Sequence, residues 1–388
     1  MLNSFPAMDF SLADHHLLIR DTVREFMQTE VRPHVKDWER TDHFPLDAIK
    51  NLGGLGCCGM LLPEEWGGPG LDTISYVLML EEVAKVHAAM ATAISVTNSA
   101  VQTPLLGFGS EEQKTRYLRR LASGEILGAF CLTEPAAGSD AAGIQTVAVG
   151  SGERYTLNGT KTWVTNGSAA GLFLVFAKTD AAAAGKGITA FLVEPGTAGL
   201  KAGRHEDKMG QRSSPSVEIL LDNCVVPASA RLGEEGQGLK IALSALDNGR
   251  IGIASLAVGL AQGALEESVK YARARRAFGK SIGEFQAIQW MLADMHTEIE
   301  AARVLVYQAA CLKDSGGKMG SAASRAKLYA SEMANRVVYK AVQIHGSLGY
   351  SRESEVERMY RDARVLTIYE GTSEIQRTII ARDLLRGS

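Results

Sequence analysis

The stretch YTLNGTKTWVTNG, residues 155 to 167, decides the fold. β-branched and aromatic residues recur in it between Asn-Gly punctuation, the pattern of a strand-forming segment. ILGAFCLT before it and LFLVFAKT, GITAFLVEP and VEILLDNCVVP after it share that texture, separated by Gly, Asn, Asp and Pro. Residues 126–235 therefore read as a β domain rather than a βαβ array. On either side the period becomes helical. Upstream, SLADHHLLIRDTVREFMQTEV spaces Leu17, Ile19, Val23, Phe26 and Met27 at helical intervals behind a Ser11 cap. SEEQKTRYLRRLASG runs from a Ser110 cap to Gly124, and LLPEEWGGPGLD between the two is a loop on turn chemistry. Downstream, helices are expected over 237–274, 283–314 and 318–345, with the SGGKMGS turn at 315–321. A last one over 372–385 carries Ile375, Ile379 and Leu384 on one stripe. The expected architecture is α+β. An N-terminal α-helical domain spans 1–125, a β-barrel-like domain 126–235, and a four-helix bundle 236–388, all packed as one unit.

Composition narrows the function. The 388 residues are 46% hydrophobic and 22% charged, the make-up of a soluble globular protein. Lys and Arg total 41 against 44 Asp and Glu, so no positive field gathers nucleic acid or anionic membrane. Cys57, Cys58, Cys131, Cys224 and Cys311 are odd in number and lack CxxC spacing, which suits a reduced cytoplasm and neither a zinc site nor a disulfide scaffold. MLNSFPAMDFSLADHHLLIRD has no basic segment followed by an apolar run, and nothing in it marks export. The apolar window IGIASLAVGLAQGAL, 251–265, falls short of the ~20 residues of a membrane span and reads as a buried helix.

Five stretches carry candidate chemistry, each with a plainer reading beside it. CLTEPAAGSDAAG, 131–143, is a polar loop after a strand, able to hold a flat heterocycle or a phosphate, or a helix-capping turn with equal weight. Trp163 in NGTKTWVTNG reads, taken alone, as core filling. ARARRAFGKSIGEFQAIQ, 272–289, ends one helix with arginines that suit its dipole, and one of them offers a bidentate donor to phosphate. AVQIHGSLGYSRESEVERMYRDAR, 341–364, has glycines but no preceding strand, so a dinucleotide-binding unit is not expected. His345 reads as a structural histidine with no second ligand at metal spacing. In TIYEGTSEIQ, 367–376, Glu370 sits between Tyr and Gly before a helix-like run, either an ordinary surface glutamate or a base held in place for chemistry.

Together these stretches resemble the acyl-CoA dehydrogenase family over nearly the whole chain. CLTEPAAGSDAAG is similar to its first signature, and QIHGSLGYSRESEVERMYRD to its second through Gln343, Gly346, Ser347, Gly349, Glu353, Arg358 and Asp362. The resemblance implies FAD, an acyl-CoA thioester substrate, an electron-transfer flavoprotein as acceptor, and a homotetramer built as a pair of dimers. It places Phe130, Leu132, Thr133 and Ser139 along the flavin, Ser139 also at the thioester's pantetheine end, and Trp163, Val164 and Thr165 against the isoalloxazine. Arg275, Phe278 and Gln286, with Gln343, Gly346 and Ser347, would meet the pyrophosphate and adenosine across a subunit boundary, and Thr372 and Glu374 would close over the cofactor. Glu370 would be the base that removes the α proton while hydride leaves the β carbon. Gly249 stands where a minority of members carry the base instead. Gly371 would contact the thioester, with Asp247 and Arg250 on the substrate side.

A desolvated carboxylate is a stronger base at neutral pH, and charge developing on the thioester oxygen needs fixed donors such as the Glu370 amide. LDNGRIGIAS and RDARVLTIYEGTSEIQRTIIA look most like short-chain, butyryl-type members, with short branched-chain enzymes next. The alternatives are the same chemistry on a carrier-protein thioester, a same-fold oxidase or monooxygenase, and a non-catalytic thioester-binding protein. The retained Glu370 argues against the monooxygenase and the last of these.

Overall fold

The computed structural model describes residues 11–386; the segment MLNSFPAMDF, used above for the targeting reading, and the last two residues lie outside the described part. The N-terminal third is helical: α1 Asp14–Phe26, α2 Val35–Thr41, α3 Leu46–Gly54, α4 Thr73–Val86, α5 Ala88–Ser95, α6 Thr103–Phe108 and α7 Glu111–Ala122. Ser110 caps α7 as expected, accepting from the Gln113 amide at 3.2 Å. Ser11 does not cap α1. Ala13 occupies that position with no side-chain cap, and the His16 ring one turn inside accepts the Ala13 amide at 3.1 Å, the reciprocal half of a capping box.

The middle strands are β1 Leu127–Cys131, β2 Val147–Ser151, β3 Arg154–Thr165, β4 Ala170–Lys178, β5 Ile188–Val193, β6 Leu200–His205, β7 Ser216–Pro227 and β8 Arg231–Leu232. They form one sheet in the order β6-β7-β3-β2-β4-β5-β8, with β1 added parallel to β4. The run LFLVF in β4 is unbroken because both of its faces are covered. Leu172, Leu174 and Phe176 join a core shared with α6, α7 and the chain's longest helix, while Phe173 and Val175 join the inner core of the strands with Leu157, Val217 and Ile219.

That longest helix is α8, Gly238–Ala274; after it come a hairpin of β9 Arg276–Ala277 and β10 Lys280–Ser281, then α9 Gln286–Asp314, α10 Gly320–His345, α11 Glu355–Ala363 and α12 Ser373–Leu385. The helix expected from residue 283 begins at Gln286, because Ser281 caps a separate 3-10 turn over Ile282–Glu284. At 37 residues α8 is long and apolar enough to cross a membrane, but 78% of its most apolar window is buried inside the protein. It is the core helix that the short apolar window suggested. α4 lies so close to it that a Cβ on Gly259 would sit 2.2 Å from the Glu81 carbonyl oxygen, which is why small residues line that face. The N- and C-terminal helices therefore share one core, running from Val77, Leu80 and Val83 through Leu256 and Leu260 to Met333 and Val337. The stripe on α12 is only partly packed. Ile375 and Ile379 are half-buried and Leu384 is 75% exposed, and the buried residues of α12 are instead Ser373 and Gln376.

Candidate active site

Glu370 lies in the turn between α11 and α12, at φ +54, followed by Gly371 at φ +88. Thr372 caps α12, accepting from the Ile375 amide at 3.3 Å, so the turn ends where the helix begins. The Glu370 side chain points inward against α8. A Cβ on Gly249 would lie 2.5 Å from Glu370 Oε2, so glycine there is what makes room for the carboxylate. Oε2 is buried and has no hydrogen-bond partner among the described residues. Burial pushes this carboxyl up to about 7, against the opposing pull of Arg250 and Lys327. Arg250 is itself buried and ion-paired with Asp247 one turn earlier.

The turn is held from three sides. Gln376 donates to the carbonyls of Glu370 and Gly371 at 3.1 and 2.9 Å, and Lys327 of α10 donates to the Gly371 carbonyl at 2.7 Å. The Tyr369 hydroxyl lies 3.2 Å from Thr92 of α5 and accepts from Gln211 at 3.3 Å. Sequence reasoning passed over Lys327 and Gln376. Their signal was a lysine and a glutamine on otherwise small or apolar helix faces, and both are wholly buried.

Another set of expected residues comes from the β domain, linked to this turn through α5. The pairing of β3 with β7 shifts register between Lys161 and Val164, a bulge that turns one residue out of the ladder. Trp163 is that residue: φ +59 and 58% exposed. The reading of Trp163 as core filling is thereby corrected. Its neighbour Val164 is 1% exposed and packs in the inner core with Val217, so its side chain faces away from the open side. Asn166 ties this strand end to the helices, donating to the Ala93 carbonyl of α5 at 3.0 Å and the Gly128 carbonyl of β1 at 3.1 Å. α5 thus joins the two, through Ala93 to the strands and Thr92 to the Glu370 turn.

Phe130, Thr133 and Thr165 are half-buried beside this face, Leu132 is 6% exposed, and Ser139 is exposed. The loop after β1 contains only a 3-10 turn, Ala141–Gly143, so the helix-capping reading fails for want of a helix. The loop is anchored by Lys161 and Glu134, whose side chains are 0% and 5% exposed and 2.7 Å apart. Glu134 also accepts from the amides of Gln145 and Thr146 at 2.5 and 3.0 Å. Burial would raise this carboxyl, but the Lys161 ammonium outweighs it and holds it below the usual range.

A second group of expected residues lies elsewhere. Arg275, Gln286, Gln343, Gly346 and Ser347 are exposed, and Phe278 is 95% exposed. They share one end of the helical bundle because Tyr271 of α8 stacks on His345 of α10, ring centroids 4.3 Å apart. His345 is satisfied as expected, its Nδ1 lying 2.8 Å from the Ala341 carbonyl. Along α8 the step from Gly249 to Arg275 is ~39 Å at ~1.5 Å per residue. Arg358 and Asp362 of the second signature are structural. Arg358 bonds Asp362 at 3.1 Å and the Val86 carbonyl at 3.0 Å, while Asp362 accepts the Gln211 amide at 2.5 Å.

Glu374 is exposed at the start of α12. His15, His16 and Asp72 bring three ligand-type atoms within 4.8 Å, a grouping not seen in the sequence. Capping occupies it: His16 holds the Ala13 amide and lies 2.8 Å from Asp72, which in turn accepts the Ser75 amide at 2.9 Å.

Comparison with known proteins agrees with this geometry. The family models for the acyl-CoA dehydrogenase N-terminal, middle and C-terminal domains match residues 13–125, 129–224 and 236–385. The short-chain specific acyl-CoA dehydrogenase of Clostridium acetobutylicum is 44% identical over 98% of this chain and 100% of its own. The solved butyryl-CoA dehydrogenase of Megasphaera elsdenii matches at TM-score 0.96 and 44% identity, over 98% of this chain and 100% of that one. A chain from the structural study of the electron transferring flavoprotein of Acidaminococcus fermentans matches at TM-score 0.97 and 45% identity, over 98% and 100%. With the helix, β, helix order, an inward carboxylate and full-length likeness in hand, the chain belongs to the acyl-CoA dehydrogenase family, FAD-dependent oxidoreductases that act on a CH–CH bond of acyl-CoA.

Proposed function

We propose that this enzyme oxidises a short-chain acyl-CoA, straight or short branched, to the trans-2-enoyl thioester, with Glu370 removing the α proton. The observation that carries the reading is the Glu370 carboxylate. The residue is half-buried, its Oε2 is buried and without a partner among the described residues, and its carboxyl is raised to about 7, near the operating pH of a general base. The amides of Glu370 and Gly371 make no hydrogen bond with any described residue. The Glu370 amide is thus available to the thioester oxygen as negative charge develops on it.

FAD fits the residues present. An outward indole between two half-buried threonines, beside a pinned polar loop, offers an apolar platform and donors for a flat heterocycle. On this reading Phe130, Leu132, Thr133, Ser139, Trp163 and Thr165 hold the ring, Val164 contributes through its backbone, and Thr372 and Glu374 close over it. Ser139, Asp247, Arg250 and Gly371 face the thioester. The bound flavin supplies the acceptor for the hydride that leaves the β carbon. Arg275, Phe278, Gln286, Gln343, Gly346 and Ser347 serve the cofactor of a second copy, since they lie ~39 Å along α8 from the base. That arrangement requires an oligomer, here a homotetramer built as a dimer of dimers. An electron-transfer flavoprotein is the partner that takes the electrons, supported by the match to the Acidaminococcus study. A cytoplasmic setting suits five free cysteines.

A short acyl chain is supported by what lies beyond Gly252, one turn from Gly249 on α8. A Cβ there would meet Ser95 Oγ at 2.5 Å and Tyr76 Oη at 2.6 Å, and these two hydroxyls are bonded to each other at 3.1 Å in a fully buried pair. We expect kcat/KM to peak at butyryl-CoA and fall at least ~100-fold by dodecanoyl-CoA, since even two or three methylenes without room, at ~1 to 3 kcal/mol each, reach that loss. A flat profile across the chain-length series would remove this assignment. Anaerobic butyryl-CoA should bleach the flavin, and air should reoxidise it slowly. Rapid peroxide formation would identify an oxidase instead.

A further inference from the structure

The Glu370 turn is held in a conformation that the chain alone disfavours. A non-glycine residue at φ +54 followed by another left-handed residue persists only where its surroundings over-determine it. Two wholly buried side chains do so here: Gln376 from the helix that follows, and Lys327 from the separate helix α10. One uncharged donor already meets both carbonyls, so a second, charged one needs a reason, because burying an ammonium is costly.

Two other buried lysines have carboxylate partners. Lys161 pairs with Glu134 at 2.7 Å and Lys85 with Glu82 at 3.1 Å. Lys327 has no carboxylate within 4.0 Å among the described residues; its bond goes to the Gly371 carbonyl, beside the base. The groups facing Glu370 are few. Arg250 comes from α8 with its charge already matched by Asp247, Tyr76 comes from α4, and Tyr369 from the turn itself. Glu374 and Glu332 face Lys327 from α12 and α10. Lys327 is therefore the positive charge of the site that has no carboxylate in ion-pair contact among the described residues.

We propose that Lys327 is a positioning residue for the base: its ammonium pins the Gly371 carbonyl, locks the turn that aims the Glu370 carboxylate, and favours the ionised, proton-accepting form of that carboxylate. This rests on reading Glu370 as the α-proton base. Burial lowers Lys327 to about 8, with Glu370 pulling the other way, and Glu370 itself stands at about 7. Both groups are charged together only between those values, so kcat/KM has an acid limb set by Glu370 and an alkaline limb set by Lys327.

The test uses holoenzyme with butyryl-CoA across about pH 5.5 to 9.5, for the wild type, Lys327→Met, Lys327→Arg and Gln376→Leu. Lys327→Met should keep its FAD and a KM within about threefold, lose kcat by ~100-fold, and move the acid midpoint up by about one pH unit. Lys327→Arg should keep the acid midpoint and lose the alkaline limb, because a guanidinium does not deprotonate in that range. Gln376→Leu should lower kcat without moving either midpoint. An unchanged acid midpoint in Lys327→Met overturns the proposal. If that variant fails to retain FAD, an unaltered alkaline limb in Lys327→Arg overturns it equally. Glu370→Gln separates the two readings: if it is inactive while Lys327→Met behaves as wild type, the base stands and the role of Lys327 falls.

Discussion

Glu370→Gln should lower turnover of butyryl-CoA by ~100- to 10,000-fold while FAD content and thioester binding stay near wild type. The amide keeps the shape that fits against Gly249 and leaves the backbone of the turn in the hands of Gln376 and Lys327, but it cannot accept the α proton. Steady-state kcat, with bound thioester followed by the perturbed flavin spectrum, checks both halves of the expectation. Near-normal turnover would show that the base lies elsewhere. The same variant reports on linkage. The carboxyl stands at about 7 in the folded protein against an ordinary 4.5, so the folded chain keeps a proton that the unfolded chain releases between those values. That contribution to stability is complete below about pH 4.5, declines across the window and is gone above about pH 7. Glutamine has no such dependence, so the Tm of the variant relative to wild type should climb from pH 4.5 to 7 and level off beyond it.

Lys161→Met should destabilise the protein by ~3 to 5 kcal/mol and release FAD, although Lys161 is 0% exposed and touches no solvent-facing surface. Its ammonium neutralises Glu134 and also donates to the Leu132 carbonyl at 3.3 Å. Without it, a carboxyl that is 5% exposed must either stay charged with no cation beside it or take up a proton, and either way the loop from Leu132 to Ser139 loses its anchor. Removing both charges with Lys161→Met and Glu134→Gln together should restore most of the loss, since an uncharged pair leaves no buried ion behind. Denaturant unfolding and the ratio of flavin to protein absorbance measure the two effects. Equal instability of the single and double variants would mean that packing around the lysine stem, not its charge, supports the loop.

Much of the site was legible because its markers are local. A left-handed pair followed by a helix cap is written in YEGTSEI as glycine and threonine at fixed offsets from Glu370. The Ser110 cap and the run of strands around Trp163 are equally short-range signals. Ser11 was misread because α1 begins later, with Ala13 at its N-cap, and propensity does not fix that boundary. Trp163 was misread on the residues alone because the alternation of β3 predicts no bulge; the shift arises from its pairing with β7.

Periodicity and turn punctuation alone determined the helix, β, helix order and the long core helix, since each is a property of neighbours in the chain, and the family resemblance of the motifs named the carboxylate to watch. Only packing decided what surrounds that carboxylate. Lys327 and the carbonyl it holds are 44 residues apart, Lys161 and Glu134 are 27 apart, and Gly249 makes room for a side chain on another element. Contacts of that span follow from which faces the core buries together, and no local pattern encodes them.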